Sequence, residues 1–131
     1  PGIPAKPMTV FINKAALSST EHENMTWGPA QAGVAKGVTD CLLDGTLPGE
    51  AEDGWCVIAA VWVNPAAHDA HEVYRNNLAA AHGAVTAAIH QMPKLDSALA
   101  SEEEAAAAPD RSWVAAAAPS NPFYMPETEL A

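Results

Sequence analysis

Basic residues are scarce in this 131-residue chain: six Lys and Arg stand against 16 Asp and Glu, leaving a net charge of −10. A surface so acidic repels a phosphate backbone at every distance beyond direct contact, which argues against nucleic-acid binding. Large aliphatic side chains are few as well. Apolar types make up 49% of the residues, yet 29 of them are Ala, and Val, Ile, Leu and Phe together number 23. That is near the level at which a charged chain ceases to fold alone, so the core must be small, confined to part of the chain, or completed by a partner. The two cysteines, Cys41 and Cys56, lack CxxC spacing and indicate neither a disulfide framework nor a zinc site. Both are expected to be small buried apolar residues. No apolar run approaches the ~20 residues of a membrane-spanning helix, and PGIPAKPM lacks the charged start and apolar middle of a secretory signal. A soluble, cytoplasmic protein is the resulting expectation. The sequence begins at Pro1 without an initiator Met, which implies a trimmed or missing beginning.

What is present is concentrated early in the chain. Thr9 to Asn13, TVFIN, is a β-branched and aromatic run entered through the extended PAKP segment and predicts a strand ending at Lys14. A polar stretch, SSTEHEN, leads to Trp27, Gly28 and Pro29, where Pro suits a first helical position because its missing N–H would be unpaired there. From Ala30 to Asp44, the residues Val34, Val38, Cys41 and Leu42 recur at helical spacing, with Gly45 as the stop. After the acidic turn LPGEAEDG, the run WCVIAAVWV from Trp55 to Val63 is continuously apolar, as in a strand buried on both faces. Asn64 and Pro65 read as N-cap and first turn of a long helix reaching about Gln91, with Tyr74, Leu78, Ala81, Val85, Ile89 and Met92 along one face. Its many small residues would let a neighbouring element approach closely. From Pro93 the composition changes: the last 39 residues hold five of the 23 large aliphatic or Phe residues, seven acids and two bases. The expected organisation is an ordered domain over 1–93 and an acidic, Ala- and Pro-rich, largely flexible tail over 94–131, with a marginal helix over 95–108.

Residues that carry chemistry are sparse. His68, His71 and Glu72, in HDAHE, lie within one helical turn, and imidazole with carboxylate suits zinc. Their spacing matches neither HExxH nor HxxEH, so a solvated helix start is the stronger reading, acids there also complementing the dipole. His82 and His90, two turns apart, line a helix flank. No GxSxG, P-loop or GxGxxG occurs, and Ser18, Ser19 and Thr20 have no evident base. Lys14 directly follows a strand, at a sheet end where ligand sites often lie, although on composition alone it is an ordinary exposed Lys. Gln31, in the first turn after Gly28 and Pro29, either caps backbone groups or hydrogen-bonds a heterocycle.

Taken in order, PGIPAKPMTVFINK, then WGPAQAGVAKGVTDCLLDGTLPGEAEDGWCVIAAVWVNP, then the YRNN-containing Ala-rich helix, resemble the formaldehyde-activating enzyme family from Pro1 to about Pro93. The resemblance implies an α+β fold, a β-sheet packed against helices in a ribosomal-protein-domain-like β-α-β sandwich, of which this chain would hold the C-terminal part and lack the N-terminal strands. It implies condensation of formaldehyde with tetrahydromethanopterin, as co-substrate, to methylene-tetrahydromethanopterin and water, without a metal, at a site between subunits of a homopentamer. The Lys of the family's strand-end NK pair maps to Lys14 and the Gln of GPAQ to Gln31, both implied pterin contacts. Two residues after the Lys the family commonly places a Thr, but here the residue is Ala16, so one hydroxyl contact is absent. Where the family tends to a YNY-like run, this chain has Tyr74, Arg75, Asn76 and Asn77, and the tail after Pro93 matches no part of the motif pattern.

The family's catalytic His, with a nearby Asp, lies on a strand upstream of the position of Pro1, and no His-x-Asp element occurs in this chain. His22, in the polar stretch expected to form a loop, does not correspond to it. The gap matters chemically. Formaldehyde adds readily to a secondary amine, whereas loss of hydroxide from the adduct calls for a positioned general acid, worth typically ~100- to 10,000-fold and suited to His. The leading expectation is a formaldehyde-activating enzyme, or its C-terminal portion, with an upstream segment supplying the His. The rival is a non-catalytic relative that binds pterin or assembles, and a metal-binding helical module on His68, His71 and Glu72 comes third.

Overall fold

The first β-branched run forms β1 (Met8–Asn13) in the computed structural model of the chain, which describes residues 5–100. β1 pairs in parallel with β2 (Cys56–Val61), in register from Met8 opposite Cys56 to Asn13 opposite Val61. Parallel neighbours require a crossover, and here it is helical: α1 (Thr20–Met25), a π-helical turn (Thr26–Ala30), α2 (Gln31–Leu43) and the short α3 (Ala51–Gly54). After β2 comes α4 (Ala70–Ile89), which packs along α2. Helices combined with a small two-stranded parallel sheet are compatible with the expected α+β class. The boundary between two structural units falls between His90 and Gln91. In the second unit residues 95–100 are helical, and the rest of the expected 95–108 helix and of the tail lies outside the described residues. Among the described residues no helix is long and apolar enough to cross a membrane.

Several local expectations change. The polar stretch before Trp27 is a helix: Ser19 caps α1 by accepting the His22 N–H at 3.0 Å, and Glu21 and Glu23 complement the dipole. His22 is therefore on a helix and fully buried, not in a polar loop. Pro29 falls inside the helical run instead of opening it. The run widens to π geometry there, with the Gln31 N–H reaching the Thr26 carbonyl, which relieves the clash of a proline ring with the preceding turn. The long helix starts later than Asn64. The Asn64 side chain and carbonyl accept from Ala66 and Ala67 N–H groups, closing a turn. Asp69 is the actual cap of α4, accepting from the His71 and Glu72 N–H groups at 2.9 and 3.1 Å, bonds that hold its carboxyl below the usual carboxylate range. Ile89 and Met92 are exposed, so the buried stripe of α4 fades after Val85.

The close approach expected from small residues on α4 is set chiefly by glycines of α2. A Cβ at Gly37 would lie 2.5 Å from the Leu78 carbonyl oxygen and 2.9 Å from the Ala81 Cβ, and one at Gly33 would collide with the Tyr74 carbonyl. Val34, Val38 and Cys41 are buried on α2. Cys41, Leu47 and Ala51 form one cluster with Leu42 and Val85, while Ala30, Val63 and Val73 form another with Phe11, Met25, Val61 and Ala67. Gly45, at φ 83°, turns the chain out of α2 as expected. The Leu47 N–H then reaches back to the Cys41 carbonyl at 2.8 Å. Burial pushes the Cys41 thiol up, with the Asp44 and Asp40 carboxylates adding to it. Asp44 also meets His82 Nε2 at 2.7 Å, and that hydrogen bond, with those from Thr46, lowers its carboxyl to about 2.

The sheet departs most from expectation. β2 is shorter than Trp55 to Val63 and is half-buried on one face only, as is β1. Met8, Val10 and Ile12 face outward beside Cys56, Ile58 and Ala60, with Met8 65% and Ile58 67% exposed. Cys56, expected to be buried, is exposed on this face. The described helices cover the opposite face alone, through Phe11 and Val61.

Candidate functional site

With two parallel strands joined through α1 and α2, the helical run begins near the C-terminal ends of the strands and finishes near their N-terminal ends. The cluster that joins Ala30 and Met25 to Phe11, Val61 and Val63 fixes that arrangement. The C-terminal edge of the sheet carries Lys14 and Ala16, at the end of a parallel sheet where ligands characteristically bind, and the helical run returns from there through the π-turn, whose Trp27 meets Phe11, to Gln31 at the start of α2.

Asn13 shapes this edge. Its side chain accepts the Ala15 N–H and donates to the Ala15 carbonyl, both at 2.9 Å, folding the chain into a tight turn directly after β1. Lys14, at the apex, is exposed and anchored by its backbone N–H on the Val61 carbonyl at 2.8 Å. Its ammonium has no hydrogen-bond or ion-pair partner among the described residues. Lys6, by contrast, pairs with Asp53 at 2.6 Å and with Glu52 at 3.7 Å, and Lys36 pairs with Asp40. Ala16 is exposed and offers only a methyl group. Gln31 is exposed too, and of its two expected uses capping is not taken: its backbone N–H is spent inside the helix and its amide has no partner among the described residues. Lys14 and Gln31 are not hydrogen-bonded to each other.

Two residues here escape the sequence reading. Trp27, on the π-turn, is 45% exposed and rests on Phe11, with ring centroids 5.7 Å apart and planes at 58°. Its signal is the i, i+4 spacing to Gln31. His22 lies behind the edge, its Nε2 2.8 Å from the Val63 carbonyl and its Nδ1 3.3 Å from Ser18 Oγ. A carbonyl only accepts, so Nε2 carries the proton and Nδ1 accepts from Ser18; the assignment follows from the network. The Ser19 cap was the legible signal for this helix.

The remaining candidates do not converge. His68 is exposed, its Nδ1 3.1 Å from the Ala66 carbonyl, and His71 and Glu72 are exposed at the start of α4. Among the described residues no group of three His, Cys, Asp or Glu is placed to hold a metal ion. The exposed groups of β1's end and of the helical run are instead a cation, an amide with a donor and an acceptor, and an aromatic face.

The model of the formaldehyde-activating enzyme (Fae) family matches residues 1–109, beyond the Pro93 at which the motif resemblance ends. A 5,6,7,8-tetrahydromethanopterin hydro-lyase of Methanosarcina barkeri is 36% identical over 105 residues, covering 80% of this chain and 59% of that protein. A bifunctional enzyme Fae/Hps of Methanococcoides burtonii is 33% identical over 106 residues, 81% of this chain and 27% of that protein. The bifunctional enzyme Fae/Hps of Archaeoglobus fulgidus is 33% identical over 99 residues, 76% of this chain and 25% of that one. The chain therefore spans less than two thirds of the length of these relatives. Matched by the family model over most of its length, the chain belongs to the formaldehyde-activating enzyme (Fae) family.

Proposed function

We propose that this chain binds tetrahydromethanopterin at the C-terminal edge of its sheet and serves formaldehyde activation, the condensation that yields methylene-tetrahydromethanopterin and water. The observation supporting the reading is that Lys14 and Gln31, the two pterin positions implied by resemblance, are both exposed, with side-chain polar groups unspent on the described residues. In a chain of net charge −10, an unpaired ammonium favours a carbonyl-rich or anionic ligand, and the amide matches the donor–acceptor edge of a heterocycle. Ala16 adds no hydroxyl, which leaves the polar recognition to Lys14 and Gln31.

Tetrahydromethanopterin supplies the secondary amine to which formaldehyde adds and the second nitrogen on which the one-carbon bridge closes. Lys14 and Gln31 orient it and hold the reacting atoms close, the part of catalysis that positioning provides. Neither replaces a general acid. His22, at the same edge, is fully buried with both ring nitrogens engaged, so it does not take that role. The dehydration step then draws its acid from outside the residues described. The engagement of His22 also favours a second reading, a pterin-binding or assembly member without catalysis of its own.

The bare outer sheet face supports assembly. Parallel strands are normally covered on both faces, and a contiguous exposed apolar patch marks an interaction surface. We read the two strands as part of a larger ribosomal-protein-domain-like sandwich within a cytoplasmic homo-oligomer, pentameric by resemblance, with 1–93 as the working domain and 94–131 as its tail.

The rate of methylene-tetrahydromethanopterin formation, followed with the chain alone and with buffer, tests the division between binding and acid catalysis. Saturable pterin binding without acceleration is expected. An acceleration of ~100-fold or more, the scale of a positioned acid, would show that the chain carries its own.

A further inference from the structure

We propose that Trp27 is a stacking residue of this site, its indole taking one face of the flat pyrimidinone ring of the pterin while Lys14 and Gln31 take the polar edge. The inference rests on the pterin-binding reading above.

Four observations carry it. Trp27 precedes Gln31 by four residues in a continuous helical backbone, so the two share a face. Its ring is 45% exposed, yet Phe11 braces it from behind at 5.7 Å, which fixes the plane without covering the outer surface. The helix surface next to it is bare at Gly28: a Cβ added there would meet no other part of the chain within 4 Å, its chain neighbours aside. The indole N–H, finally, has no hydrogen-bond partner among the described residues, leaving one donor for the ligand's carbonyl groups. Exposure alone would not single Trp27 out. Trp62 is more exposed, at 55%, but it continues the apolar outer face of β2, whereas Trp27 adjoins the unspent amide of Gln31. A planar heteroaromatic ring on an indole is a sequence-tolerant contact whose loss by alanine substitution costs about 5- to 100-fold in affinity.

The test is a titration of the whole chain with tetrahydromethanopterin, read by calorimetry and by tryptophan fluorescence. Trp27→Ala is expected to weaken binding about 5- to 100-fold, and Trp27→Phe to hold it within about threefold while abolishing most of the fluorescence quenching. Because Trp27→Ala also removes the Phe11 contact, Trp27→Leu supplies an arm that keeps an apolar contact on Phe11 without an aromatic face: with an unchanged thermal midpoint it should weaken binding by about fivefold or more. Unchanged affinity in both Trp27→Ala and Trp27→Leu, with Lys14→Ala weakened, overturns the stacking role and leaves the site standing. Failure of the unaltered chain to take up tetrahydromethanopterin overturns both.

Discussion

Gly37→Val is expected to lower the thermal midpoint by about 12–24 °C or to prevent folding at ordinary temperature, on a cost of ~3 kcal/mol at 4–8 °C per kcal/mol for a domain of this size. The reason is the nature of the atoms in the way. A Cβ at this position meets the Leu78 carbonyl oxygen at 2.5 Å, the Ala81 Cβ at 2.9 Å and the His82 nitrogen at 3.1 Å. Backbone atoms and a Cβ have no rotamer to escape into, so α2 and α4 must separate. Separation loosens the face on which Val34, Val38 and Cys41 are buried, in a chain already short of large aliphatic residues. Overpacking usually costs ~1–3 kcal/mol, and this site belongs at the upper end because two helices move together. Gly49→Ala, where an added Cβ meets nothing within 4 Å, is the matched control and should shift the midpoint little. Circular dichroism melts of both variants check the prediction, and an unshifted midpoint for Gly37→Val would mean the helices do not pack this closely.

His22→Ala is expected to cost about 3–5 kcal/mol, summing a cavity and a stranded buried acceptor. The imidazole is fully buried and bridges α1 to the end of β2, through Nε2 to the Val63 carbonyl and through Nδ1 to Ser18. Truncation empties the space and leaves that carbonyl without its donor. α1 leads into the π-turn that presents Trp27 and Gln31, so the same variant should loosen the edge and lower pterin affinity. His22→Gln keeps an amide donor where Nε2 stood and should recover part of the loss. Chemical denaturation of the three proteins separates the outcomes. Equal stability of the Gln and Ala variants would remove the Val63 hydrogen bond from the account.

The elements legible in the sequence were those with a strong periodic pattern and a stop. TVFIN is a run of β-branched and aromatic residues, and Val34, Val38 and Cys41 recur on a helix closed by Gly45, so β1 and α2 were readable. The start of α4 was not, because Asn64 and Asp69 are both good caps. Asn64 went into a turn with Ala66 and Ala67, a competition that local chemistry alone leaves open. His22 looked solvated among Ser, Glu and Asn, yet only one side of α1 faces water. The most instructive difference is β2. Its continuous apolar run reads as a strand covered twice, and the described residues cover it once. Pattern and structure conflict there, and that conflict is what supports the proposed oligomer. At the site, Lys14 and Gln31 were reached through motif order, since a strand-end Lys and a first-turn Gln are individually ordinary. Their exposure, and the freedom of their polar groups from partners among the described residues, came only from the structure. Trp27 carried no such motif, and its role emerges from the Phe11 brace and the open space beside Gly28.

Under the proposed function, Lys14 and Gln31 are the polar contacts of a pterin site. The measurement that bears on it most directly is the dissociation constant of tetrahydromethanopterin for the unaltered chain, Lys14→Ala and Gln31→Ala, each checked for unchanged thermal stability. Hydrogen bonds to a charged group contribute roughly 1.5–3 kcal/mol and neutral ones about 1, which predicts about 10- to 100-fold weaker binding for Lys14→Ala and about fivefold for Gln31→Ala. Coincident titration curves for all three proteins would contradict the assignment of the site.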